Sequence, residues 1–492
     1  MPKLLPVSTL ICLALILVGI NRGFDVSDEG FYVLLAHPFQ ENQSGIFNYD
    51  LFFKLFYQFT GIHFGIVGLR ILRLLSYGLG AFALAVFYRN VGSENQLSPK
   101  IFLLSLLGLF AGYGFLPASL SYNHLSVVLA AFWLALISSQ GFVWKKCLCI
   151  GLLIALLVYV KVTTALLIGV LTLGIWVFEK RLNGKALLSL IIPFFALEVL
   201  FFSTLGQSAI FRLQEGLAVQ TARADYHWWT LIKHTAVGGF WCLLVFGNAF
   251  LVFRMIKKPI FQALLVLPSF LLVFFLTRVT EEWNHFFLLS AAVVWALLFA
   301  QSRFSQLASQ AQVWTLLLLV FPFVLHLGSN VYWLRIGIHY LVFWILAWLI
   351  WEKNQGLQVG KWVNYGLAGA SLVWVFNGLW WHPFEQKELW KNTESWEYMP
   401  GKTILLTPDQ LFSLEKLQTE VGEEEEVLAA YRISGIPFLL GKTLPKSPGF
   451  WDQEQLSYFF PKGDDGKVIL YHPIQDLPDH FSNDHIIINS WE

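Results

Sequence analysis

Residues 4–32 read LLPVSTLICLALILVGINRGFDVSDEGFY, and the two halves of this stretch decide the fold between them. From Leu4 to Ile20 the run is apolar and uncharged, close to the roughly 20 residues a helix needs to cross the hydrocarbon of a bilayer. Asp25, Asp28 and Glu29 follow at once. An apolar segment that empties into acidic residues reads as a membrane helix with a polar loop at its far end. A signal peptide would also begin with Lys3 and an apolar run, but no small-x-small cleavage pattern precedes Asn21, so this helix is expected to be retained.

The apolar half of that pattern recurs down the chain. Further runs lie at approximately 64–88, 100–118, 122–139, 147–160, 163–178, 186–205, 237–255, 259–277, 284–301, 312–328, 332–351 and 361–381. Those at 147–160 and 163–178 are short and meet at Lys161, and hydropathy leaves open whether they are one bent span or two. Composition agrees. Of 492 residues 56% are hydrophobic and 13% charged, with a mean hydropathy of +0.60, whereas a soluble globular chain carries about 25% charged residues. The expected fold is mainly α: a polytopic transmembrane helical bundle of about 13 spans over residues 1–381, followed by a small α/β soluble C-terminal domain over 382–492.

Charge sets the orientation. With the N-terminus in the cytoplasm, alternate loops hold Lys145 and Lys146, then Lys180, Arg181 and Lys185, then Arg254, Lys257 and Lys258, as the positive-inside rule requires. An odd number of crossings then places 382–492 outside the cytoplasm, for a multi-pass protein of the inner or plasma membrane. The 33 Lys+Arg nearly balance the 32 Asp+Glu, so no nucleic-acid partner is expected. All four cysteines (Cys12, Cys147, Cys149 and Cys242) lie in apolar runs, which points to neither a disulfide nor a zinc site. No cofactor and no metal are expected.

Two loops on the outer side are long, at about 21–63 and 206–236. The first contains NYDLFFKLFYQF (48–59), which suits a helix lying in the interface with its rings at headgroup depth. In the tail, KTILLT (402–407), KVILYH (467–472) and HIIIN (485–489) read as strands. DQLFSLEKLQTEVG (409–422) reads as a helix capped by Asp409 and stopped at Gly422.

Ionisable and polar groups beside spans are costly, so each is a functional candidate. Beside Asp25, Asp28 and Glu29 they comprise Tyr32; Tyr122, Asn123 and His124; Lys161; Arg278, Glu282 and His285; and Asn330 and Arg335. All fall on one predicted side. For any one of them, snorkelling to headgroups or a helix–helix hydrogen bond is an equally good reading. Shared placement at one face argues that they act together, a carboxylate as base and the cations pairing with a phosphate.

DVSDEGFY (25–32) is similar to the Asp-Glu-x-x-Tyr pattern of GT-C superfamily glycosyltransferases, specifically the protein O-mannosyltransferase and aminoarabinose transferase branch. GLRILRLLS (68–76), GLLIALLVYVKVTTALLIG (151–169) and RVTEEWNHFFLL (278–289) also resemble that branch. The resemblance covers about residues 1–300 by pattern. It implies a polyprenyl-phosphate-linked sugar as donor, a glycan, lipid or protein acceptor, and inverting transfer at the outer face of the lipid bilayer. It further implies Asp28, or Glu29, as the base that deprotonates the acceptor, with Lys161, Arg278 and His285 on the carrier phosphate. Asp28 should then face a cavity shared with at least two of those three. One departure stands out: SLSYNHLS (119–126) has no carboxylate where many members carry a second acid. The competing functions are a transporter or flippase of lipid-linked saccharides, which should place charges in both membrane halves, a polymerase or ligase of such saccharides, and a non-catalytic membrane scaffold whose tail binds a partner.

Overall fold

Alternating apolar runs and polar breaks become separate helices in the computed structural model, which describes residues 3–92, 95–141, 143–222, 227–278, 283–301, 309–355, 360–422, 425–464, 466–481, 485–489 and 491. The first helix, α1 (Leu4–Val18), ends at Gly19. The loop after it folds into two short helices, α2 (Asp28–Leu35) and α3 (Asp50–Thr60). Then come α4 (Gly65–Gly92), α5 (Pro99–Phe110), α6 (Tyr122–Ile137), α7 (Trp144–Val160), α8 (Val162–Phe178) and α9 (Gly184–Leu205). After α10 (Ala209–Ala222) follow α11 (Trp228–Met255), α12 (Pro259–Thr277), α13 (Asn284–Gln301), α14 (Ser309–His326), α15 (Trp333–Ile336), α16 (Leu341–Gln355) and α17 (Gly360–Val375). Proline opens α5 and α12, where its missing N–H costs nothing. A helix thus stands at every one of the expected spans. Six of them are long and apolar enough, by length and composition, to cross a membrane. Their exposed faces carry Leu, Phe, Ile and Val in numbers that water would not tolerate. The chain is an integral membrane protein built as a polytopic helical bundle.

The break at Lys161 separates two helices. Lys161 is extended (φ −158°, ψ 100°) between α7 and α8. The indole of Trp133, well along α6, donates to Thr172 Oγ1, well along α8, at 2.8 Å. The two helices therefore run side by side in the same direction, and α7 runs against both.

The interface stretch of the first loop is helix α3, with Phe56 and Phe59 exposed. Beyond the bundle lie β1 (Glu394–Met399) and β2 (Lys402–Leu406), which pair antiparallel, and β3 (Val427–Ala430), β4 (Val468–Tyr471) and β5 (His485–Ile487), which form a parallel sheet. Helices α18 (Pro408–Glu420), α19 (Gly435–Leu439) and α20 (Gln453–Phe459) accompany them. The cap of α18 is Thr407 rather than Asp409: Thr407 Oγ1 accepts from Gln410 N–H while Gln410 Oε1 accepts from Thr407 N–H, a reciprocal pair that Asp409, already inside the helix, cannot make.

The tail shares its core with the first loop. Phe24, Val26, Val33 and Leu34 pack with Ile404, Leu406, Leu414 and Leu470. Gly23 N–H donates to Leu405 O and Leu405 N–H to Asn21 O, each at 2.8 Å, so residues 21–23 lie along β2. Gly435 N–H donates to Val26 O at 2.7 Å. The closest approach is glycine on glycine: a Cβ on Gly30 would lie 2.2 Å from Gly435 N, which is why α2 and α19 need bare backbone there.

Candidate functional site

The three carboxylates of the first loop meet three different fates. Asp25 is buried and accepts from Ser27 N–H (2.8 Å) and Glu29 N–H (2.9 Å), tying down the start of α2. Glu29 is fully buried and receives a bidentate fork from Arg70 on α4, Nε to Oε1 at 2.8 Å and Nη2 to Oε2 at 2.7 Å. Ser119 Oγ donates to the same carboxylate. Arg70 spends its other donors on the carbonyls of Ile20, Arg22 and Gly23. Glu29 is thus committed to protein partners and is absent from the cavity walls. Asp28 alone of the three lines a cavity, of about 930 Å³, and its side chain makes no hydrogen bond or ion pair among the described residues.

The walls of this cavity come from many connections that the alternating map puts at one end of the bundle. The first loop supplies Ser27, Asp28, Phe31, Tyr32, Asn42 and residues 44–47. Phe115, Leu116, Tyr122 and Asn123 come from between α5 and α6, and Lys233, His234 and Val237 from the start of α11. Residues 330–332, Arg335 and Ile336 belong to the approach to α16, and 382–386 to the segment after α17. The tail adds Arg432, Ser447, Pro448, Trp451 and Gln455. Six sequence candidates are thus brought together: Asp28, Tyr32, Tyr122, Asn123, Asn330 and Arg335. The Oδ1 of Asn123 is buried without a hydrogen-bond partner among the described residues.

The cations differ from those expected. Lys161 gives its ammonium to Leu325 O at 2.7 Å, where the last turn of α14 exposes carbonyls, and so caps that helix. His285 is buried in the first turn of α13, stacked on Phe274 with ring centroids 4.7 Å apart. Arg278 is exposed at the end of α12, away from the cavity. None of these three shares the cavity with Asp28. His124 is buried in the α6 cap with its Nδ1 against Ser121 Oγ (2.9 Å), and it too is absent from the walls. Glu282 lies outside the described residues. In their place the cavity takes Lys233, Arg335 and Arg432, with His234 and His382. Arg335 lies 4.7 Å over the ring of Phe115. The side chains of Lys233 and Arg432 make no hydrogen bond or ion pair among the described residues. Helix α11 begins at Trp228, not near 237 as hydropathy implies, and this polar extension is what carries Lys233 into place.

A second acid, Glu385, also lines the cavity. Burial and the nearby negative charge of Glu385 push the Asp28 carboxyl up to about 7, against the pull of Arg432. Burial likewise holds Asp25 well above the usual carboxylate range, with Glu385 and Asp28 adding to it. Backbone strain gathers at this place. Of the described non-glycine residues with positive φ, Leu116, Glu385 and Arg432 line the cavity and Tyr431 and Lys446 adjoin lining residues, which leaves only Lys180 elsewhere. The last membrane helix ends in a π turn, Phe376–Trp381, directly before the lining segment 382–386.

Away from the cavity, the buried carboxylates Asp50 and Glu198 are satisfied by protein partners. Asp50 on α3 accepts from Lys54 (2.9 Å) and from Arg212 of α10 (2.9 and 3.0 Å); burial opposes its ionisation, yet the two cations hold its carboxyl below the usual range. Asn42 also donates to Asp50, which anchors the 42–47 wall. Glu198 accepts from Tyr159 and Ser208, each at 2.6 Å.

The bundle and its cavity define a polytopic membrane protein with a charged, aromatic-lined chamber at one end. No family model matches the chain, and no curated protein matches it. Among solved structures, ArnT from Cupriavidus metallidurans bound to undecaprenyl phosphate matches at 13% identity and a TM-score of 0.40, over 89% of this chain and 84% of that one. The same protein in its apo state matches at 11% identity and a TM-score of 0.36, over 92% and 87%. With both TM-scores below 0.5, neither structure decides the fold or the activity of this chain.

Proposed function

We propose that this protein is a glycosyltransferase of the GT-C type that moves a sugar from a polyprenyl-phosphate carrier to an acceptor on the outer face of the membrane. The observation that carries the reading is the unspent charge of the cavity. Glu29, Asp50, Glu198 and Lys161 are all consumed by protein partners, whereas Asp28, Lys233 and Arg432 share one chamber without a hydrogen bond or ion pair among the described residues. Asp28 is partly buried while Lys233 and Arg432 keep exposed surface, and charges left available in one chamber have as natural partners ligand groups of opposite sign and a proton to be moved. The residues are those sugar transfer from a phosphate carrier needs.

Asp28 takes the proton of the acceptor nucleophile. The acceptor's electron pair forms the new bond to the sugar's anomeric carbon as the bond from that carbon to phosphate oxygen breaks. The bonding pair leaves with the carrier phosphate, whose growing charge Lys233, Arg335 and Arg432 neutralise. A carboxyl poised at about 7 is a better base near neutrality than an ordinary aspartate. The lipid tail stays in the bilayer, the segment 382–492 sits outside, and the chamber lies at the boundary. The motif DEGFY (28–32) supports the same assignment, with Asp28 rather than Glu29 as the reacting acid.

The test is radiolabelled transfer by purified protein across a panel of polyprenyl-phosphate sugars, with Asp28→Asn as the control. Transfer that disappears in a folded Asp28→Asn protein is expected. A protein that transfers no sugar from any carrier, or whose Asp28→Asn variant keeps full turnover, ends the proposal.

A further inference from the structure

Four aromatic rings stand together on one wall of the cavity, brought from four separate segments. Phe31 lies on α2, Phe47 in the first loop, Tyr122 at the start of α6 and Trp451 in the tail. Phe47 and Tyr122 are stacked at 4.1 Å with 18° between planes. Phe31 contacts Phe47 edge-on at 6.3 Å and Trp451 at 5.7 Å. All four are half-buried, so each keeps part of its ring surface open to the chamber. The wall is not purely apolar: the unsatisfied Oδ1 of Asn123 lies beside Tyr122.

We infer that this wall is the binding platform for a saccharide acceptor, with Trp451 of the tail as its specificity-determining member. A pyranose has one face of axial C–H groups and a rim of hydroxyls. Its C–H face suits the negative face of an aromatic ring, and its rim suits an isolated buried acceptor such as Asn123 Oδ1. A lipid chain would need no such acceptor. Position decides between donor and acceptor sugar. Asp28, Phe31 and Tyr32 are spaced i, i+3 and i+4 and share one face of α2. The group that removes the acceptor's proton and the ring that would seat the acceptor are therefore fixed on the same short helix. Of the three cations, Lys233 and Arg335 come from different elements, and Arg432 alone shares the tail with Trp451. This inference rests on the transfer reading for the word acceptor, but the platform itself is read from geometry.

The experiment is saturation-transfer NMR on the full-length protein in detergent, without donor, using neutral disaccharides of hexose and N-acetylhexosamine as probes. Wild-type protein is expected to bind at least one of them, with saturation strongest on the ring C–H protons. Trp451→Ala should weaken that binding about tenfold, while Trp451→Phe keeps it within about threefold. A thermal melt of each variant reports whether the tail remains folded. Absence of saccharide binding by the wild type, or equal binding by a folded Trp451→Ala protein, overturns the inference even if sugar transfer to some other acceptor is found. Conversely, saccharide binding that depends on Trp451 in a protein without any transfer activity sustains the platform and removes the transferase.

Discussion

Adjacent carboxylates with opposite duties make a sharp test, and Glu29→Gln is its centre. The substitution keeps the shape of Glu29 but replaces one oxygen with an amide that can only donate, facing Arg70 Nη2, which also only donates. Arg70 is buried, so its charge is left without a counter-ion in a place water barely reaches. Breaking one partner of a buried pair costs about 3–5 kcal/mol. At about 4 kcal/mol the folded-to-unfolded ratio falls about a thousandfold. Removing both charges in Glu29→Leu/Arg70→Met should recover only part of the loss, because the carbonyls of Ile20, Arg22 and Gly23 lose their donors at about 1–3 kcal/mol each. Thermal denaturation in detergent and sugar-transfer turnover are measured side by side. Glu29→Gln should melt far below the wild type and keep turnover in whatever remains folded, whereas Asp28→Asn should melt no lower than the wild type and transfer nothing. A Glu29→Gln protein with a wild-type melt and no turnover would refute the assignment and exchange the roles of the two acids.

Turnover should rise with pH through about 7 as Asp28 ionises. Glu385→Gln, which removes a neighbouring negative charge, should shift that rise to lower pH, and Arg432→Gln should shift it to higher pH. Because the Asp28 carboxyl is raised in the folded protein, its contribution to stability is complete below about 4 and is lost as pH climbs through about 7; melting of Asp28→Asn should lack that component. Arg212→Ala should cost about 3 kcal/mol by leaving Asp50 with Lys54 and the neutral Asn42, and proteolysis should cut first within 42–47. Lys161→Met should lower the melting temperature without changing the KM for the carrier, since its ammonium serves Leu325 O. Gly30→Ala should destabilise by about 1–3 kcal/mol through its clash with Gly435, seen as earlier release of the tail in limited proteolysis.

Helix positions are legible because a span must be apolar over most of its length, and that signal is local. Even the split at Lys161 is visible as an interruption, though only the Trp133–Thr172 contact shows the chain turning back. Site residues are legible as types but not as fates. Asp25, Asp28 and Glu29 are indistinguishable in sequence; what separates them is Arg70 and Ser119, which arrive from 41 and 90 residues away. Lys161 announces itself by its cost in an apolar run, yet its partner is a backbone carbonyl, which no pattern reveals. Lys233 reads as a structural charge near a span end, because it sits just ahead of the hydropathy peak of its helix. Glu385, Arg432 and Trp451 are ordinary residues in a polar stretch, and only the fold of the tail onto the first loop gives them a cavity to face.

The touching backbones of Gly30 and Gly435 bear on how such a chamber can admit a bulky guest. With no side chain between them to act as a bearing, the tail has nothing to swing on, and any tilt of it drags α2 and its carboxylate along. Anything that displaces the tail therefore carries the acid at the mouth of α2 with it, and the alignment of that acid is tied to the seating of residues far along the chain.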